Sequence, residues 1–396
     1  MSAPSEVSAP SARHDLPALD GLRGFAALLV VVTHTSFLTG GYSLGWLGTV
    51  TARFDVGVAL FFVLSGFLLT RSWTRAQGQR VDLRRYARHR AARILPAYWV
   101  ALLAVVLTVA RSAEPSAIVS NAVLAQTYTD DLLPAFTQTW SLVAEVAFYV
   151  VLPLLAPWLA RGIGSRAAYV RAALLGAVGL LFTALVALGV VDHSWASTWM
   201  PAHLLWFATG MALAVVEVDA TTRAARIARE WATAPGTLVA LAVAAFWLAC
   251  TALAGPVGLG HVGALEAVTK EVLYAVVGTS LVLACGFARA GSTPVRSLGG
   301  PVARWGGRLS YAVFLWHQLV LVGVMSVLGV AEFGGRTLTV TVATVLGSVV
   351  VAALSYVLVE RPVLRAVTSR DRAPQAPHER DREGAEREQL HDRRAR

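Results

Sequence analysis

The sequence is poor in charge, in lysine and in cysteine. Charged residues make up 15% of the 396 residues, and one lysine stands against 33 arginines. Soluble domains carry about 25% charged residues, so this composition argues against a soluble protein. The two cysteines, Cys250 and Cys285, are predicted near opposite ends of adjacent helices, which argues against a disulfide between them. The sequence also lacks the ligand spacing of a metal site.

Hydrophobic residues are abundant, at 56% of the chain, and lie in long runs. A run of about 20 apolar residues is long enough to cross a bilayer as one helix. The recurrence of such runs predicts an all-α, polytopic membrane protein with about ten transmembrane helices. The predicted spans are residues 22–39, 54–72, 95–110, 138–160, 172–191, 201–218, 236–254, 268–288, 310–330 and 337–360.

The distribution of arginine predicts the orientation of these helices. Thirty lysine and arginine residues fall on the side of the two termini, against four on the other side. Cytoplasmic loops are enriched in positive charge, so we expect both termini in the cytoplasm of a multi-pass cell-membrane protein. Arginines scattered over many short loops suit lipid headgroups. They do not form the compact basic surface that nucleic-acid binding needs.

Composition divides the chain into three parts. Residues 1–18 are polar and lack the cleavage pattern of a signal peptide, so we expect a cytoplasmic N-terminal segment. Residues 19–362 hold all the predicted spans and form one membrane domain. Residues 363–396 are rich in Arg, Glu and Asp, which predicts a disordered cytoplasmic tail.

The first predicted helix carries two ionisable side chains, Arg23 and His34. They are eleven residues apart, or about three helical turns, so they share a face about 16 Å apart along the axis. Ionisable groups inside a membrane are functional candidates because burying them is costly. The structural alternative for His34 is a hydrogen bond between helices.

Glu145 lies in the fourth predicted span, at a depth similar to that of His34. It shares a helix face with Ser141, four residues earlier. A buried carboxylate needs a partner, and we predict His34, whose protonated ring Glu145 would orient and stabilise. The alternative is a polar clamp between helices without a catalytic role.

Three further groups lie towards the predicted cytoplasmic side. Arg90 and Arg93 stand at the mouth of the third span, where guanidinium groups can bind phosphates in bidentate fashion. His317 is predicted near the inner leaflet on the ninth span, either in contact with a ligand or hydrogen-bonded to another helix. Ser65 is a weaker candidate, and the adjacent Gly66 is expected to permit close helix packing.

Six short motifs along the chain resemble those of the acyltransferase family 3 membrane O-acyltransferases. Each motif alone is weak, but six in the same order, over about residues 18–362, are specific. They are Leu19-Asp20-Gly21-Leu22-Arg23-Gly24 through to His34, Gly57-Val58-Ala59-Leu60-Phe61-Phe62-Val63-Leu64-Ser65-Gly66-Phe67, Arg90-Ala91-Ala92-Arg93-Ile94-Leu95-Pro96, Trp140-Ser141-Leu142 through Glu145 to Phe148-Tyr149, Leu309-Ser310-Tyr311 through Leu315-Trp316-His317, and Val359-Glu360-Arg361-Pro362.

The resemblance implies a role for each candidate. Arg23 and His34 correspond to the essential arginine–histidine pair of the family, and Arg90 and Arg93 to its acyl-donor side. It also implies an acyl-CoA co-substrate, with acetyl-CoA expected, and no bound cofactor. The predicted catalytic residues are His34, Glu145 and Arg23, and the predicted donor-binding residues are Arg90, Arg93, Ser65 and His317, with no metal ligand among them.

The implied reaction is transfer of an acyl group to a hydroxyl. His34 would act as general base on the acceptor, and a transient acyl-histidine is the variant. We expect a glycan or glycolipid acceptor, and a macrolide-like secondary metabolite is the alternative. A proton-coupled transporter would also suit buried ionisable groups, but no internal repeat is visible and the motifs are in family order.

The chain departs from the family pattern at two places. Val146-Ala147 follow the glutamate where members often carry Glu-Gln, and Ala59 stands where many have Asp. Both changes remove polar groups, so the resemblance does not define the acceptor pocket. Some members also carry an extracytoplasmic hydrolase-like domain. We expect this chain to act alone or with a separate extracytoplasmic partner protein.

Overall fold

The computed structural model describes residues 16–76, 81–258 and 260–372, and within them it contains helices and loops but no strand. Fifteen α-helices follow one another along these segments. They are α1 (Pro17–Leu38), α2 (Gly45–Ala52), α3 (Val56–Arg75), α4 (Leu83–Thr108), α5 (Pro115–Ala122), α6 (Trp140–Ala160), α7 (Arg166–Ala187), α8 (Leu204–Val218), α9 (Arg223–Ala232), α10 (Pro235–Ala249), α11 (Ala264–Gly286), α12 (Thr293–Leu298), α13 (Pro301–Leu328), α14 (Thr337–Ser355) and α15 (Arg361–Arg372).

Nine helical segments in the described part of the chain are long and apolar enough to cross a membrane. The pair α9 and α10, bent by 94° at its junction, makes a tenth if it counts as one broken span. Each predicted span coincides with one of these helices, which confirms the all-α, polytopic fold. Large apolar side chains such as Leu154 on α6 and Leu338 on α14 are 75% and 78% exposed, as expected of surfaces that face lipid.

The third spanning helix begins earlier than predicted. The apolar pattern placed its start at residue 95, but α4 begins at Leu83, where the side chain of Asp82 accepts a hydrogen bond from the Arg85 backbone N–H (3.0 Å). Arginine and alanine favour helix, so the polar segment continues the apolar one despite Pro96. Arg90 and Arg93 therefore lie on the helix itself rather than in a loop before it.

The C-terminal boundary also differs from the prediction. After α14 the chain forms a π-helical turn (Tyr356–Glu360) and continues as α15 to Arg372. Residues 363–372, predicted as part of a disordered tail, are thus helical, because α15 docks against α4 through Asp371. The rest of that tail, residues 373–396, and residues 1–15 of the N-terminal segment lie outside the described residues.

Glycines bring the helices that carry the candidate residues close together. A Cβ added at Gly307 on α13 would lie 2.1 Å from the carbonyl oxygen of Asp20 on α1, and one at Gly24 would lie 2.9 Å from Gly306. A Cβ at Gly66 on α3 would lie 2.3 Å from the carbonyl oxygen of Phe207 on α8, which confirms that Gly66 permits close packing. The crossing of α1 and α13 therefore requires glycine.

Substitution of Gly307 by Ala should destabilise the protein, because the new methyl group would overlap the α1 backbone. Overpacking of this kind costs about 1–3 kcal/mol. The matched control is Gly306→Ala, one residue away, where a Cβ meets open space and helix propensity should rise. Thermal unfolding in detergent should show a lower Tm for Gly307→Ala alone. Equal Tm values for the two variants would contradict this packing.

Candidate active site

The ring of His34 contacts the ring of His317, on the neighbouring helix α13. Nδ1 of His34 lies 3.1 Å from Nε2 of His317 and 2.8 Å from the carbonyl oxygen of Val30. Nδ1 of His317 lies 2.6 Å from the carbonyl oxygen of Phe314. His317 is fully buried and His34 is partly exposed. The two rings form a hydrogen-bonded pair anchored to the backbone at both ends.

The backbone partners assign the tautomers of the pair. A carbonyl oxygen only accepts, so Nδ1 must carry the hydrogen in each neutral ring. His317 then presents the lone pair of Nε2 to the Nδ1–H of His34. Nε2 of His34 makes no hydrogen bond to any described residue, so its lone pair is available to take a proton. This is the arrangement that a general base requires.

The position of His317 corrects the expected depth of this residue. We predicted it near the inner leaflet, because the apolar run of its helix begins at residue 310. The helix begins at Pro301, so His317 lies sixteen residues, or about 24 Å, along it. His317 therefore lies beside His34, which is eleven residues beyond Arg23 on α1. It does not lie beside the arginines predicted to bind the donor.

Glu145 has hydroxyl partners in place of the expected imidazole. Its Oε1 accepts hydrogen bonds from Ser65 (2.5 Å) and from Tyr149 (2.7 Å). Among the described residues, His34 is not a hydrogen-bond partner of Glu145. Ser65 and Glu145, both singled out in the sequence, are thus brought together, but His317 takes the place beside His34 that was predicted for Glu145.

Arg23 and Glu145 line a small cavity of about 40 Å³ between α1, α3, α6 and α13. Aromatic side chains, among them Phe62 and Tyr311, form much of the rest of its wall. Arg23 interacts electrostatically with Glu145 and with Arg93. The cavity therefore has charged groups of both signs inside an apolar bundle.

Arg90 and Arg93 differ from the other basic residues of α4. Three side chains nearer the start of that helix, those of Arg85, Arg88 and His89, bind the carboxylate of Asp371, with His89 Nε2 at 2.5 Å. These bonds lower the pKa of Asp371, that from His89 most. The guanidinium of Arg90 instead lies 5.9 Å from the ring of Tyr149. Its buried Nε has no hydrogen-bond partner in the part of the chain that the structure describes, so it can bind a further group.

Glu360 is a residue of this region whose role the sequence did not reveal. Its side chain is buried, and neither carboxylate oxygen has a hydrogen-bond partner. It lies in the π-helical turn, and Arg93 acts on it electrostatically. Its place in the Val359-Glu360-Arg361-Pro362 motif was the only signal. Glu360 therefore places a buried carboxylate within electrostatic reach of Arg93.

Comparison with known proteins identifies the family. The acyltransferase domain family matches residues 16–360. The chain belongs to that family. This membership confirms the resemblance of the six motifs. No solved structure matches the chain.

Three relatives share 29% identity with it over different lengths. The O-acetyltransferase OatA of Staphylococcus aureus matches over 36% of this chain and 25% of its own length. The exopolysaccharide production protein ExoZ of Rhizobium meliloti matches over 78% of this chain and 89% of its own length. The acyltransferase MdmB of Streptomyces mycarofaciens matches over 51% of this chain and 57% of its own length. The chain thus spans a quarter of OatA but most of ExoZ.

Removal of the hydroxyl groups that bind Glu145 should destabilise the bundle. Ser65→Ala or Tyr149→Phe leaves the partly buried carboxylate of Glu145 with one donor fewer, at a cost of about 1–3 kcal/mol. The matched control on α3 is Thr70→Val, since the hydroxyl of Thr70 is buried without a partner. We expect lower Tm values for the first two variants only, measured in detergent. If Thr70→Val lowered the Tm as much as the other two variants, the stabilising role of the Ser65 and Tyr149 hydrogen bonds would be refuted.

Proposed function

We propose that this protein is a membrane O-acyltransferase that moves an acetyl group from acetyl-CoA on the cytoplasmic side to a hydroxyl of a glycan or glycolipid. The observation that carries this proposal is the His34–His317 pair, in which Nε2 of His34 makes no hydrogen bond to the described residues. Arg23 lies about 16 Å from His34 along the same helix. Such a distance suits a donor whose phosphates stay at the arginines while its thioester reaches the histidine.

Donor binding is proposed for the inner end of the bundle. Arg90 has an unpartnered buried Nε, and Arg23 likewise. Guanidinium groups bind phosphate oxygens through charge-assisted hydrogen bonds. Arg23, Arg90 and Arg93 would hold the nucleotide part of the donor, while Glu145 and its hydroxyl partners balance the positive charge near Arg23.

The proposed chemistry moves one proton and exchanges one bond. Nε2 of His34 takes the proton of the acceptor hydroxyl while the oxygen of that hydroxyl bonds to the carbonyl carbon of the thioester. The bond from that carbon to sulfur then breaks, and the imidazolium returns the proton to the departing thiolate. His317 stabilises the imidazolium of His34, because the lone pair of its Nε2 accepts the Nδ1–H hydrogen bond.

A glycan acceptor is favoured by a relative that matches over most of its own length. ExoZ, aligned over 327 residues, is named for exopolysaccharide production. An acceptor of that class would be modified on the outer side, where the outward end of α1 places His34. A macrolide-like acceptor remains the alternative, and mass spectrometry separates the two. Cells with wild-type protein should carry one acetyl mass on a surface glycan that His34→Ala cells lack.

Replacing His34 by Ala should reduce acetyl transfer by about 10²–10⁴-fold, the contribution of a general base. The assay is release of free thiol from acetyl-CoA by protein purified in detergent. His261→Ala is the control, since His261 is an exposed histidine of an outer loop and should keep full activity. Near wild-type turnover by His34→Ala would overturn the assignment. A complete lack of thiol release by the wild type would favour a transporter.

Arg90→Ala should raise the KM for acetyl-CoA about tenfold or more, because a hydrogen bond to a charged group contributes about 1.5–3 kcal/mol. Arg84→Ala, at an exposed position six residues earlier on α4, is the matched control. Initial rates of thiol release against donor concentration give both constants. A KM raised equally by the two variants would indicate general attraction of the anionic donor by positive charge rather than a binding site.

A further inference from the structure

A second and larger cavity lies at the opposite end of the bundle from the arginines. Its volume is about 530 Å³, within the range of sites that bind small molecules. The wall is made by the outward ends of α1 and α7, the start of α11 and the connecting segments between them. Thr33, the neighbour of His34 along α1, is part of that wall. The cavity therefore begins beside the proposed general base.

A buried His–Glu pair, His203 and Glu271, lines this cavity. The sequence around His203 gave no sign of a role. Both side chains are more than nine-tenths buried, and Nδ1 of His203 lies 3.2 Å from Oε1 of Glu271. The ring stacks on Trp206 with centroids 4.6 Å apart, and the Trp206 Nε1–H donates to the backbone oxygen of Glu271. The pair is thus held rigidly in the cavity wall.

Each member of the pair leaves one polar atom without a partner. Nε2 of His203 and Oε2 of Glu271 are buried and make no hydrogen bond within the described residues. Because Nδ1–H is given to Glu271, both remaining atoms are acceptors. An unsatisfied buried acceptor is costly, so the ligand that fits here is one that donates hydrogen bonds, as hydroxyl groups do.

Most polar atoms of the charged side chains in this cavity have partners. Among the described residues, the buried exceptions on these side chains are Nε of Arg53 and Oε2 of Glu271. Lys270 Nζ lies 2.6 Å from the Asp55 carboxylate, which also accepts a hydrogen bond from Tyr274. The guanidinium of Arg53 donates to backbone oxygens of residues 254, 255 and 256. Positive and negative groups balance, so the lining favours a neutral ligand over an anionic one.

Partly exposed aromatic rings complete the lining. Phe37, Tyr42 and Trp140 all face the cavity, and none of them is fully buried. Aromatic rings offer apolar faces on which the C–H faces of sugar rings stack, beside polar groups that fix orientation. The combination of flat apolar surfaces with unpaired acceptors matches a molecule that has both C–H faces and hydroxyl groups.

We infer that this outer cavity is the acceptor site and that it binds an uncharged carbohydrate, with His203 and Glu271 accepting hydrogen bonds from its hydroxyl groups. The inference rests on the proposed acyltransferase function and specifies its acceptor. A neighbouring hydroxyl of the same sugar would then lie on the Thr33 side of the cavity, towards His34. His203 and Glu271 are positioning residues for the acceptor rather than part of the proton transfer.

The test measures binding separately from transfer. Protein reconstituted in lipid nanodiscs is titrated calorimetrically with methyl β-cellobioside, a neutral disaccharide, and with glucose 1-phosphate, an anionic sugar. The variants are His203→Gln, Glu271→Gln and Ala187→Trp, which fills the cavity from α7 without touching the pair. Leu188→Trp is the matched control, because Leu188 is 67% exposed and lies outside the cavity lining. His34→Ala serves as a catalytic control.

We expect the neutral disaccharide to bind the wild type and the glucose phosphate to bind at least tenfold more weakly. Ala187→Trp, His203→Gln and Glu271→Gln should each weaken binding of the disaccharide at least tenfold, whereas Leu188→Trp should leave it unchanged. Ala187→Trp leaves the side chains of His203 and Glu271 unchanged. Weaker binding by this variant therefore cannot be attributed to a fold defect caused by replacing the pair.

Two results would overturn the inference. One is disaccharide binding by Ala187→Trp at wild-type strength, and the other is equal or tighter binding of the anionic sugar. Either could occur while His34-dependent thiol release persists, in which case the proposed enzyme stands and its acceptor site lies elsewhere. Loss of thiol release in the wild type, with disaccharide binding intact, would instead refute the proposed reaction.

Discussion

The close crossing of α1 and α13 is the constraint on which the rest of the site depends. Gly24 and Gly307 let the two backbones approach to distances that no side chain would allow. Ten residues further along both helices, Nδ1 of His34 lies 3.1 Å from Nε2 of His317. Helix association in a membrane depends on close packing rather than on a hydrophobic driving force, so the glycines both stabilise the pair of helices and set the geometry of its histidines.

Two sets of polar side chains lie at opposite ends of the bundle. The inner set, which includes Arg23, Arg93 and Glu145, combines positive charge with one hydrogen-bonded carboxylate. The outer set, around His203 and Glu271, has balanced charge and unpaired acceptors. In a membrane each set would be costly without a ligand or partner. An anionic donor inside and a neutral acceptor outside would complement these two sets, with His34 between them.

Helical periodicity and the family motifs predicted much of this arrangement. Each of the ten apolar runs coincides with a helix. Arg23 and His34 share a face because both lie on the single continuous helix Pro17–Leu38. The contact between Ser65 and Glu145 could not be predicted, because the two residues lie on different helices and spacing along one helix says nothing about its neighbours. The start of α4 was missed because arginine and alanine support a helix without making an apolar run.

The sequence by itself determined the all-α membrane fold, the approximate number of spans and the family, and it provided the candidate site residues. These properties follow directly from local composition and from the spacing of residues along a helix. Only the tertiary structure decided which helices touch: it placed His317 beside His34, gave Glu145 to Ser65 and Tyr149, and brought His203 to Glu271 across 68 residues. Which helices pack together depends on where glycines permit close approach, and the residue pattern along one chain does not show which helices those are.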